Sequence, residues 1–224
     1  MVLLLIGLIG ALRQGEPPRQ AEAARQIVTL PPPRERGPLS LEEALRSRRS
    51  VRRFAGGPLS LVEVSQLLWA AQGTTSAAGG RTAPSAGALY PLELYVVVGD
   101  VTALPRGIYR YRPRRHDLVR VDSGEDRRSA LATAALGQRW ISSGAVVFVI
   151  AAEYERTTAK YGERGERYVH MEVGHVAQNV YLQAAALRVA TVFVGAFRDS
   201  AVARVLELPA TVRPLGLMPL GRMP

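Results

Sequence analysis

Residues 47–54 read Ser-Arg-Arg-Ser-Val-Arg-Arg-Phe and follow a short amphipathic helix pattern at 41–45 (Leu-Glu-Glu-Ala-Leu). The segment holds four arginines and two hydroxyl groups. Guanidinium groups bind phosphate oxygens bidentately and also lie against aromatic rings, so this composition suits a planar ligand that carries a phosphate. At the start of a chain that mixes helix and strand patterns, the segment indicates a nucleotide or a flavin.

The order of the side chains in this arginine-rich segment predicts how they are presented. On an extended segment that leaves a helix, Arg48, Ser50 and Arg52 would share one side and Arg49 the other. Three donors on one side could hold a phosphate and the polar edge of a ring. The alternative is a solvated basic helix end that interacts favourably with the helix dipole.

The regions on both sides of this segment alternate between helix and strand patterns. Ser40 with Glu43 and Ser60 with Glu63 form two capping boxes, each followed by an apolar helical stripe. Helices are predicted over 41–47, 61–72, 126–137, 168–187 and 200–206, and strands over 92–99, 108–112, 118–121, 145–152, 190–195 and 213–220. This pattern, with one hairpin, predicts an α+β sandwich with a mixed sheet.

The first 38 residues differ from the rest of the chain. Residues 1–12 form an apolar run that is too short for a spanning helix, which needs about 20 residues. The run resembles a signal-peptide core or a membrane anchor, although no basic residue precedes it; the alternative is a packing segment or the remainder of a longer hydrophobic element. Residues 13–38 are rich in Pro and Arg and predict a stiff, extended linker. The folded domain is predicted over 39–224, and the location stays open between cytoplasm, membrane anchor and export.

The composition limits the classes of function. A chain of 224 residues is long enough for one domain with a proper core. The net charge of +10 comes almost entirely from arginine, and the basic residues are scattered, so we predict no nucleic-acid partner and keep one only as a minor alternative. The absence of cysteine excludes disulfides, thiolate nucleophiles and Cys-type zinc sites. His170 and His175 are five residues apart, which does not fit a helical metal pair, so no metal is expected.

A second candidate site lies directly before the strand predicted at 92–99. Residues 84–91 read Pro-Ser-Ala-Gly-Ala-Leu-Tyr-Pro. The small residues Ala86 and Gly87 allow close backbone approach to a flat ligand, and Ser85 beside Pro84 adds a hydrogen-bond donor. The alternative is an ordinary tight connection between a helix and a strand.

A third candidate is the pair Lys160 and Tyr161, in what the pattern predicts as a glycine-punctuated loop over 160–168. Lys160 is the one lysine among 29 basic residues, and lysine loses its proton far more readily than arginine. A Lys–Tyr pair could serve as general acid or base. The alternative is a surface lysine without a role.

Two further segments lie near predicted strand ends. Gly195 and Ala196 follow a strand and would present backbone N–H groups at its carboxyl end, where sheet folds tend to bind ligands. Arg222 follows the last strand and could provide a second phosphate contact.

Together and in this order, these segments resemble the nitroreductase superfamily, and within it the SagB-type (thiazole/oxazole oxidase-like) dehydrogenases. The resemblance covers 39–224. The matching motifs are R-R-S-V-R-R-F, P-S-A-G-A-L-Y-P-L-E-L-Y-V-V, K-Y-G-E-R-G-E-R-Y, G-H-V-A-Q-N-V-Y-L-Q-A, V-G-A-F and a final P-L-G-R.

The resemblance implies an α+β sandwich, with a mixed, mainly antiparallel sheet flanked by helices, that forms a homodimer with FMN at the subunit interface. It implies that Arg48, Arg49, Ser50 and Arg52 hold the phosphate and the pyrimidine edge of the flavin. Arg222 would add to the phosphate contacts.

The same resemblance assigns the other segments. Gly195 and Ala196 would place a backbone N–H near flavin N5, and residues 84–87 of the other subunit would cover the ring. Lys160 and Tyr161 match a pair that, in azole-forming relatives, supports substrate deprotonation while hydride passes to the flavin.

The substrate is less well defined than the cofactor. Azole-forming relatives usually carry an additional N-terminal region and act beside a cyclodehydratase, whereas an apolar run and a Pro-rich stretch precede the domain here. The expected reaction is therefore hydride transfer between flavin N5 and a small-molecule or peptide-derived substrate. The alternatives are reduction of nitro compounds or quinones with NAD(P)H as electron donor, and a non-catalytic flavin- or nucleic-acid-binding protein.

Overall fold

The computed structural model describes residues 26–122 and 124–224, and strands form its central layer. The strands are β1 (Ile27–Thr29), β2 (Leu59–Ser60), β3 (Leu92–Val98), β4 (Val101–Thr102), β5 (Gly107–Arg112), β6 (Asp117–Arg120), β7 (Val146–Glu153), β8 (Val189–Thr191) and β9 (Val212–Arg222). The helices are α1 (Leu41–Ser47), α2 (Leu61–Gln72), α3 (Arg128–Ala134), α4 (Arg139–Ser143), α5 (Glu155–Tyr161), α6 (Arg164–Leu187) and α7 (Asp199–Val205), with a 3-10 turn at Ala86–Ala88.

Seven of the strands form one sheet in the order β1-β6-β5-β3-β7-β9-β8. Each neighbouring pair in this sheet is antiparallel. The parallel pairing in the described chain is the short contact between β2 and β4. The predicted α+β architecture with a mainly antiparallel sheet is therefore confirmed.

The two central strands divide the core into two halves. Even-numbered side chains of β3 and β7, such as Val96 and Phe148, pack with α2 and α6 on one face. Odd-numbered apolar side chains, such as Val97 and Val149, pack with α3, α4 and α7 on the other face. Because successive strand residues point to opposite faces, an apolar strand without polar alternation is buried on both sides. Full burial of a side chain such as Phe148 stabilises the fold by about 1.5–3 kcal/mol.

Both capping boxes that the sequence predicts are present. Ser40 and Glu43 cap α1, and Ser60 and Glu63 cap α2, with each serine accepting from the glutamate backbone and each glutamate accepting from the serine N–H. Helix α2 ends at Gly73, as the pattern predicts.

Three predicted elements differ from the observed ones. The helix predicted over 126–137 is limited to α3, because Leu136 and Gly137 adopt positive φ angles of 60° and 75°, and the separate helix α4 follows at Arg139. The strand predicted over 190–195 is limited to β8 and an isolated bridge from Val194 to Leu217. The loop predicted over 160–168 is wrong, since Lys160 belongs to α5 and α6 begins at Arg164.

The segment 26–38 contributes to the domain instead of forming the extended linker that the sequence predicts. Strand β1 pairs with β6 at the sheet edge, and Leu30 is 4% exposed. Gln66 of α2 accepts from the Arg34 N–H at 2.7 Å and donates to the Arg34 carbonyl at 3.0 Å. The three β-forming residues of β1 stand shortly before a proline run. So short a pattern does not predict a strand.

The apolar run 1–12 and the first part of the predicted linker lie outside the described residues. Within 26–122 and 124–224, no helix combines the length and the hydropathy needed to cross a membrane.

His116 holds the segment that follows β1. Its Nε2 lies 3.0 Å from the Pro31 carbonyl oxygen and 2.8 Å from Ser65 Oγ, and its Nδ1 lies 2.9 Å from Tyr111 Oη. The Ser65 hydroxyl also donates to the Pro31 carbonyl at 2.6 Å. Burial lowers the pKa of His116 below its usual 6.5, although the Pro31 carbonyl and Asp117 act in the opposite direction.

Replacing His116 by Asn should reduce the loss of stability in acid. Because the folded-state pKa is lowered, the folded state binds fewer protons than the unfolded state, so the stabilisation is present above 6.5 and is lost as the pH falls through the folded-state pKa. Urea denaturation of both proteins between pH 8 and pH 5 measures this effect. The wild type should lose more stability than His116→Asn, and equal losses would contradict the prediction.

Candidate active site

The arginine-rich segment lies against the C-terminal half of α6. The Arg48 guanidinium lies over the Tyr181 ring, 5.3 Å from its centre, and Ser50 Oγ lies 2.9 Å from Tyr181 Oη. The Val51 N–H donates to the Thr191 carbonyl of β8 at 2.9 Å. Tyr181 and β8 thus position the segment from two sides.

The side chains of this segment are presented in more than one direction. Arg48 and Ser50 share one side, as expected for an extended segment. Arg52 lies over a different ring, 6.0 Å from the centre of Trp140 in α4. Arg49 turns back and donates to the carbonyls of Arg46 and Arg48 at 2.9 and 2.8 Å.

The positive charge of this segment is not neutralised by an ion pair within residues 26–122 and 124–224. No carboxylate among the described residues lies within 4.0 Å of its four guanidinium groups. Arg112, in contrast, donates to both oxygens of Asp117 at 2.7 and 2.6 Å. A cluster of guanidinium groups without acidic partners has the donor set that a phosphate requires.

Gly195 and Ala196 are linked to this segment through the first residues of α4 and the residue before it. Gln138 precedes α4 and donates to the Ala196 carbonyl at 2.7 Å, while Trp140 two residues later meets Arg52. Both residues of the turn are exposed, and neither backbone N–H donates a hydrogen bond within the described chain. These two amides are available to an acceptor atom of a bound molecule.

Arg222 is engaged by the protein. Its Nη2 donates to Glu63 Oε2 at 2.9 Å, its Nη1 donates to Glu63 Oε1 at 2.5 Å, and its Nε donates to the Pro58 carbonyl at 2.9 Å. Although partial burial opposes the effect, the hydrogen bonds from Arg222 and Ser60 lower the pKa of Glu63. The Arg222 guanidinium therefore already has an acidic partner, unlike the guanidinium groups of the arginine-rich segment.

Arg222 also borders a cavity of about 810 Å³. This cavity lies between the 34–41 segment, α1, α2 and the C-terminal part of α6. Of the candidate site residues identified in the sequence analysis, Arg222 is the one that lines this cavity.

The turn at 84–90 meets Lys160 and Tyr161. A Cβ atom placed on Gly87 would lie 2.7 Å from Tyr161 Oη and 3.1 Å from Lys160 Nζ, so the two side chains lie directly on the glycine. Lys160 Nζ is 5.4 Å from the centre of the Tyr161 ring, and that ring packs edge-on against Tyr168 at 5.2 Å. The structure thus joins two segments that the sequence presents separately.

The position of Lys160 and Tyr161 depends on close packing between α5 and α6. A Cβ on Gly165 would lie 2.8 Å from the Thr158 Cα and 2.9 Å from the Thr158 N, both backbone atoms. Gly162, with φ of 56°, makes the turn between the two helices. The two glycines that resemble loop residues in the sequence therefore set the contact between two helices.

The sequence profile of the nitroreductase family matches residues 45–222. The chain belongs to the nitroreductase family. A candidate nitroreductase of Methanocaldococcus jannaschii is 52% identical over 184 residues, which cover 82% of this chain and 91% of that protein. The structure of a candidate nitroreductase of Ralstonia eutropha superimposes with a TM-score of 0.78 at 30% identity and covers 88% of this chain and 90% of that one.

Other relatives of this nitroreductase-family chain are more distant. A trifolitoxin operon protein of Rhizobium leguminosarum is 31% identical over 66% of this chain and 46% of its own length. A chain of the Escherichia coli microcin synthetase complex, solved with truncated pro-MccB17 bound, has a TM-score of 0.68 at 22% identity over 97% of this chain and 85% of its own. The NADPH:FMN oxidoreductase of Vibrio harveyi, solved with NAD+, has a TM-score of 0.58 at 20% identity over 81% and 68%. The last two share the fold.

Several residues of the site in this nitroreductase-family chain have no local sequence signal. Tyr181 and Trp140 belong to helices that approach the arginine-rich segment only through tertiary packing. Glu172, which is 2% exposed, could have been identified from the sequence as a buried acid, because it interrupts the apolar stripe of α6 between Val169 and Val176.

Among the described residues, no group of His, Asp and Glu side chains forms a metal site.

Glu172 lies behind the turn at 84–90. It accepts a hydrogen bond from Gln72 Nε2 at 3.2 Å. Burial raises the pKa of Glu172, although the neighbouring Ser85 and Gln72 side chains and the charges of Arg81 and His175 act in the opposite direction.

The contacts form two separate clusters in this nitroreductase-family chain. The first, the arginine cluster, consists of the arginine-rich segment and the turn at 195–196 and contacts α6 at Tyr181. The second, the lysine cluster, consists of the turn at 84–90 with Lys160 and Tyr161 and contacts α6 at Tyr168. At 1.5 Å of rise per residue, the two contact points on α6 lie about 20 Å apart along the helix.

Replacing Gly165 by Ala should destabilise the protein by about 1–3 kcal/mol, because the added methyl group overlaps backbone atoms of α5. Urea denaturation gives the change in the free energy of unfolding. Gly56→Ala is the matched control, since a Cβ there has no neighbour within 4 Å, and it should remain within about 1 kcal/mol of wild type. Equal effects of the two substitutions would contradict the proposed packing of α5.

Proposed function

We propose that this chain is an FMN-dependent oxidoreductase that transfers hydride between flavin N5 and a small-molecule or peptide-derived substrate, as SagB-type dehydrogenases do. The observation that carries the proposal is the composition of the two clusters. One offers unneutralised guanidinium groups and free backbone N–H groups, and the other offers an amine and a phenol side by side. The first fits a phosphate-bearing cofactor, and the second fits proton transfer to or from a substrate.

The arginine cluster fits FMN in charge and in donors. Arg48, Ser50 and Arg52 would hold the phosphate and the pyrimidine edge, with Arg49 close by. The N–H groups of the 195–196 turn would face N5, where a backbone donor is suited to an acceptor nitrogen. FMN, when bound, supplies a two-electron acceptor and donor of hydride at N5. Arg222 would join the phosphate contacts only if it exchanged its bonds to Glu63.

The lysine cluster would manage the proton that accompanies hydride loss. Oxidation of a C–N or C–C bond removes a hydride and a proton from the substrate, so a base must stand near the oxidised carbon. Lys160 is exposed and lies beside Tyr161 and Gly87. The Lys160 amine or the Tyr161 phenol would accept this proton, and in the reverse reaction would donate it.

We infer a homodimer from the separation of the two clusters. Because they contact α6 about 20 Å apart, one flavin ring would not reach both within a single chain. Exposed apolar side chains lie on α1, α2 and α6, with Leu41 60%, Leu45 51%, Val62 45% and Met171 52% exposed. A second copy would cover this surface and bring the lysine cluster of one chain to the arginine cluster of the other.

The second candidate function is reduction of nitro compounds or quinones with NAD(P)H. The candidate nitroreductase of M. jannaschii, at 52% identity, favours this reaction, and the V. harveyi fold relative was solved with NAD+. The trifolitoxin operon protein and the microcin synthetase complex favour the peptide-derived substrate. Both functions use the same FMN site and differ in the source of the hydride.

The first experiment is a visible absorption spectrum of the purified chain, followed by release and identification of the chromophore. We expect FMN at one copy per chain. Anaerobic addition of NADH or NADPH then separates the two functions, because rapid bleaching of the flavin indicates the reductase and no bleaching indicates the dehydrogenase. A colourless protein that does not take up added FMN would contradict both.

Replacing Arg48 by Ala should weaken FMN binding by about 1.5–3 kcal/mol, the value of a hydrogen bond to a charged group. Titration of the apoprotein with FMN, followed by flavin fluorescence, measures the change. Arg115→Ala, which removes an exposed arginine in the turn between β5 and β6, should leave the affinity unchanged. Equal affinities of the Arg48 variant and wild type would remove the phosphate assignment.

Replacing Lys160 by Ala should leave FMN bound and slow turnover, because the proton acceptor is lost. Mixing this variant with Arg48→Ala then tests whether the clusters act in trans. In a heterodimer of the two variants, one site would carry both substitutions and the other would carry neither. Co-expressed variants should therefore recover about a quarter of wild-type turnover if chains pair at random and each site acts independently. No recovery would mean that both clusters serve the same flavin within one chain.

A further inference from the structure

Helix α5, which carries Lys160 and Tyr161, is too short to fix its own position. It has seven residues, and no side chain of the described chain caps its N-terminus. Isolated helices of fewer than about 12–15 residues are marginal in water. The placement of Lys160 and Tyr161 therefore depends on the tertiary contacts of α5, of which the packing of Thr158 on Gly165 is one.

The turn at 84–90, against which these two side chains lie, is strained. Ala88 and Tyr90 have φ angles of 54° and 48°, and Gly87 before them has 61°. Residues that carry a side chain are unfavourable in this region, and such turns persist only where the surrounding structure holds them. Within the turn, Ser85 Oγ accepts the Tyr90 N–H at 2.9 Å. A further contact, to the Tyr90 carbonyl, comes from α5.

Arg156 connects α5 to this turn and to the sheet. Its Nη2 donates to Glu93 Oε1 of β3 at 2.6 Å, and its Nε donates to Glu153 Oε2 at the end of β7 at 2.7 Å. Its Nη1 donates to the Tyr90 carbonyl at 3.3 Å. All three guanidinium nitrogens thus donate to different segments of the chain, which a planar guanidinium allows and the compact amine of a lysine does not reproduce.

The ion pair with Arg156 is not needed to neutralise Glu93. Glu93 Oε2 also lies 3.7 Å from Nη1 of Arg110, on the neighbouring strand β5. The side chains of Glu93 and Glu153 are 13% and 30% exposed, so these charges form a partly buried network rather than an isolated surface pair. What Arg156 adds to the network is the connection from two strands to α5 and the turn.

The turn and α5 meet at two points. Arg156 with Tyr90 is the first, and Gly87 with Lys160 and Tyr161 is the second. Because Arg156 and Lys160 are four residues apart, they lie on the same face of α5, about 6 Å apart along its axis. In the function proposed above, the second point must meet a substrate and exchange a proton. The spacing between helix and turn is therefore held at the first point.

We propose that Arg156 is a positioning residue, which fixes α5 to the turn at 84–90 and thereby sets the placement of Lys160 and Tyr161 against Gly87. The role in turnover rests on the function proposed for Lys160 and Tyr161. The hold on the helix depends on neither FMN nor substrate, and it can be measured without them.

The single lysine of the chain permits a direct measurement in the apoprotein. After incorporation of isotope-labelled lysine, the NMR spectrum contains the side-chain signals of Lys160 alone. The Tyr161 ring, whose centre is 5.4 Å from Lys160 Nζ, shifts these signals away from those of a free lysine side chain. Arg156→Met keeps a side chain of similar reach and removes all three donors. It should move the ε-methylene signal towards its position in the urea-unfolded chain.

A second variant and a control accompany this measurement. Glu93→Gln removes one charged partner of Arg156 with little change of shape, so it should move the signal in the same direction by a smaller amount. Arg204→Met, which removes an exposed arginine on the seven-residue helix α7, should leave the signal at its wild-type position. A wild-type signal in folded Arg156→Met, or in Glu93→Gln if Arg156→Met does not fold, would overturn the proposal.

A double-mutant cycle in the FMN-loaded enzyme tests the role in turnover. Arg156→Met should lower kcat about tenfold with unchanged KM and flavin content, whereas combined with Lys160→Ala it should cause no further loss, because it acts through the same group. Independent, multiplying losses would overturn the positioning role. Full turnover of Lys160→Ala alone would remove the function proposed for Lys160 and, with it, the role of Arg156 in turnover, and the lysine signal would still decide whether Arg156 positions α5.

Discussion

Helix α6 packs its apolar stripe, which includes Val169, Val173, Val176 and Val180, against the even-numbered face of β3 and β7. Both clusters take their positions from this contact. The arginine cluster contacts the helix at Tyr181, the turn at 84–90 also contacts the helix, and Tyr161 packs against Tyr168. Because a helix in a close-packed interior behaves as a rigid rod, the spacing between the clusters is fixed by the helix rather than by the loops that carry them.

Much of the fold follows from local sequence. The capping boxes at Ser40 and Ser60 begin two helices, and long apolar runs give the two central strands with their faces. The errors occur where tertiary contact overrides a local signal. Gly165 resembles a loop residue, but it permits close approach of α5, and the edge strand β1 is stabilised by β6 rather than by its own three residues.

The candidate site, like the fold, is predictable from the sequence only where its features are local. The arginine-rich segment, the turn at 84–87 and the Lys160–Tyr161 pair are continuous in sequence, so their residue types indicate their chemistry. Their grouping depends on residues far away in sequence, such as Tyr181, Trp140 and Gln138, whose side chains are ordinary in their local context. Arg222 shows the limit of residue type, since its guanidinium is the same as that of Arg48 but already has Glu63 as a partner.

Glu63 has two structural tasks. It completes the capping box of α2 and also binds Arg222 at the end of β9, across 159 residues of sequence. Because closing so long a loop costs entropy, we expect this pair to form late in folding. We also expect the first turn of α2 and the last residues of β9 to open together, since each loses a partner when the other frays.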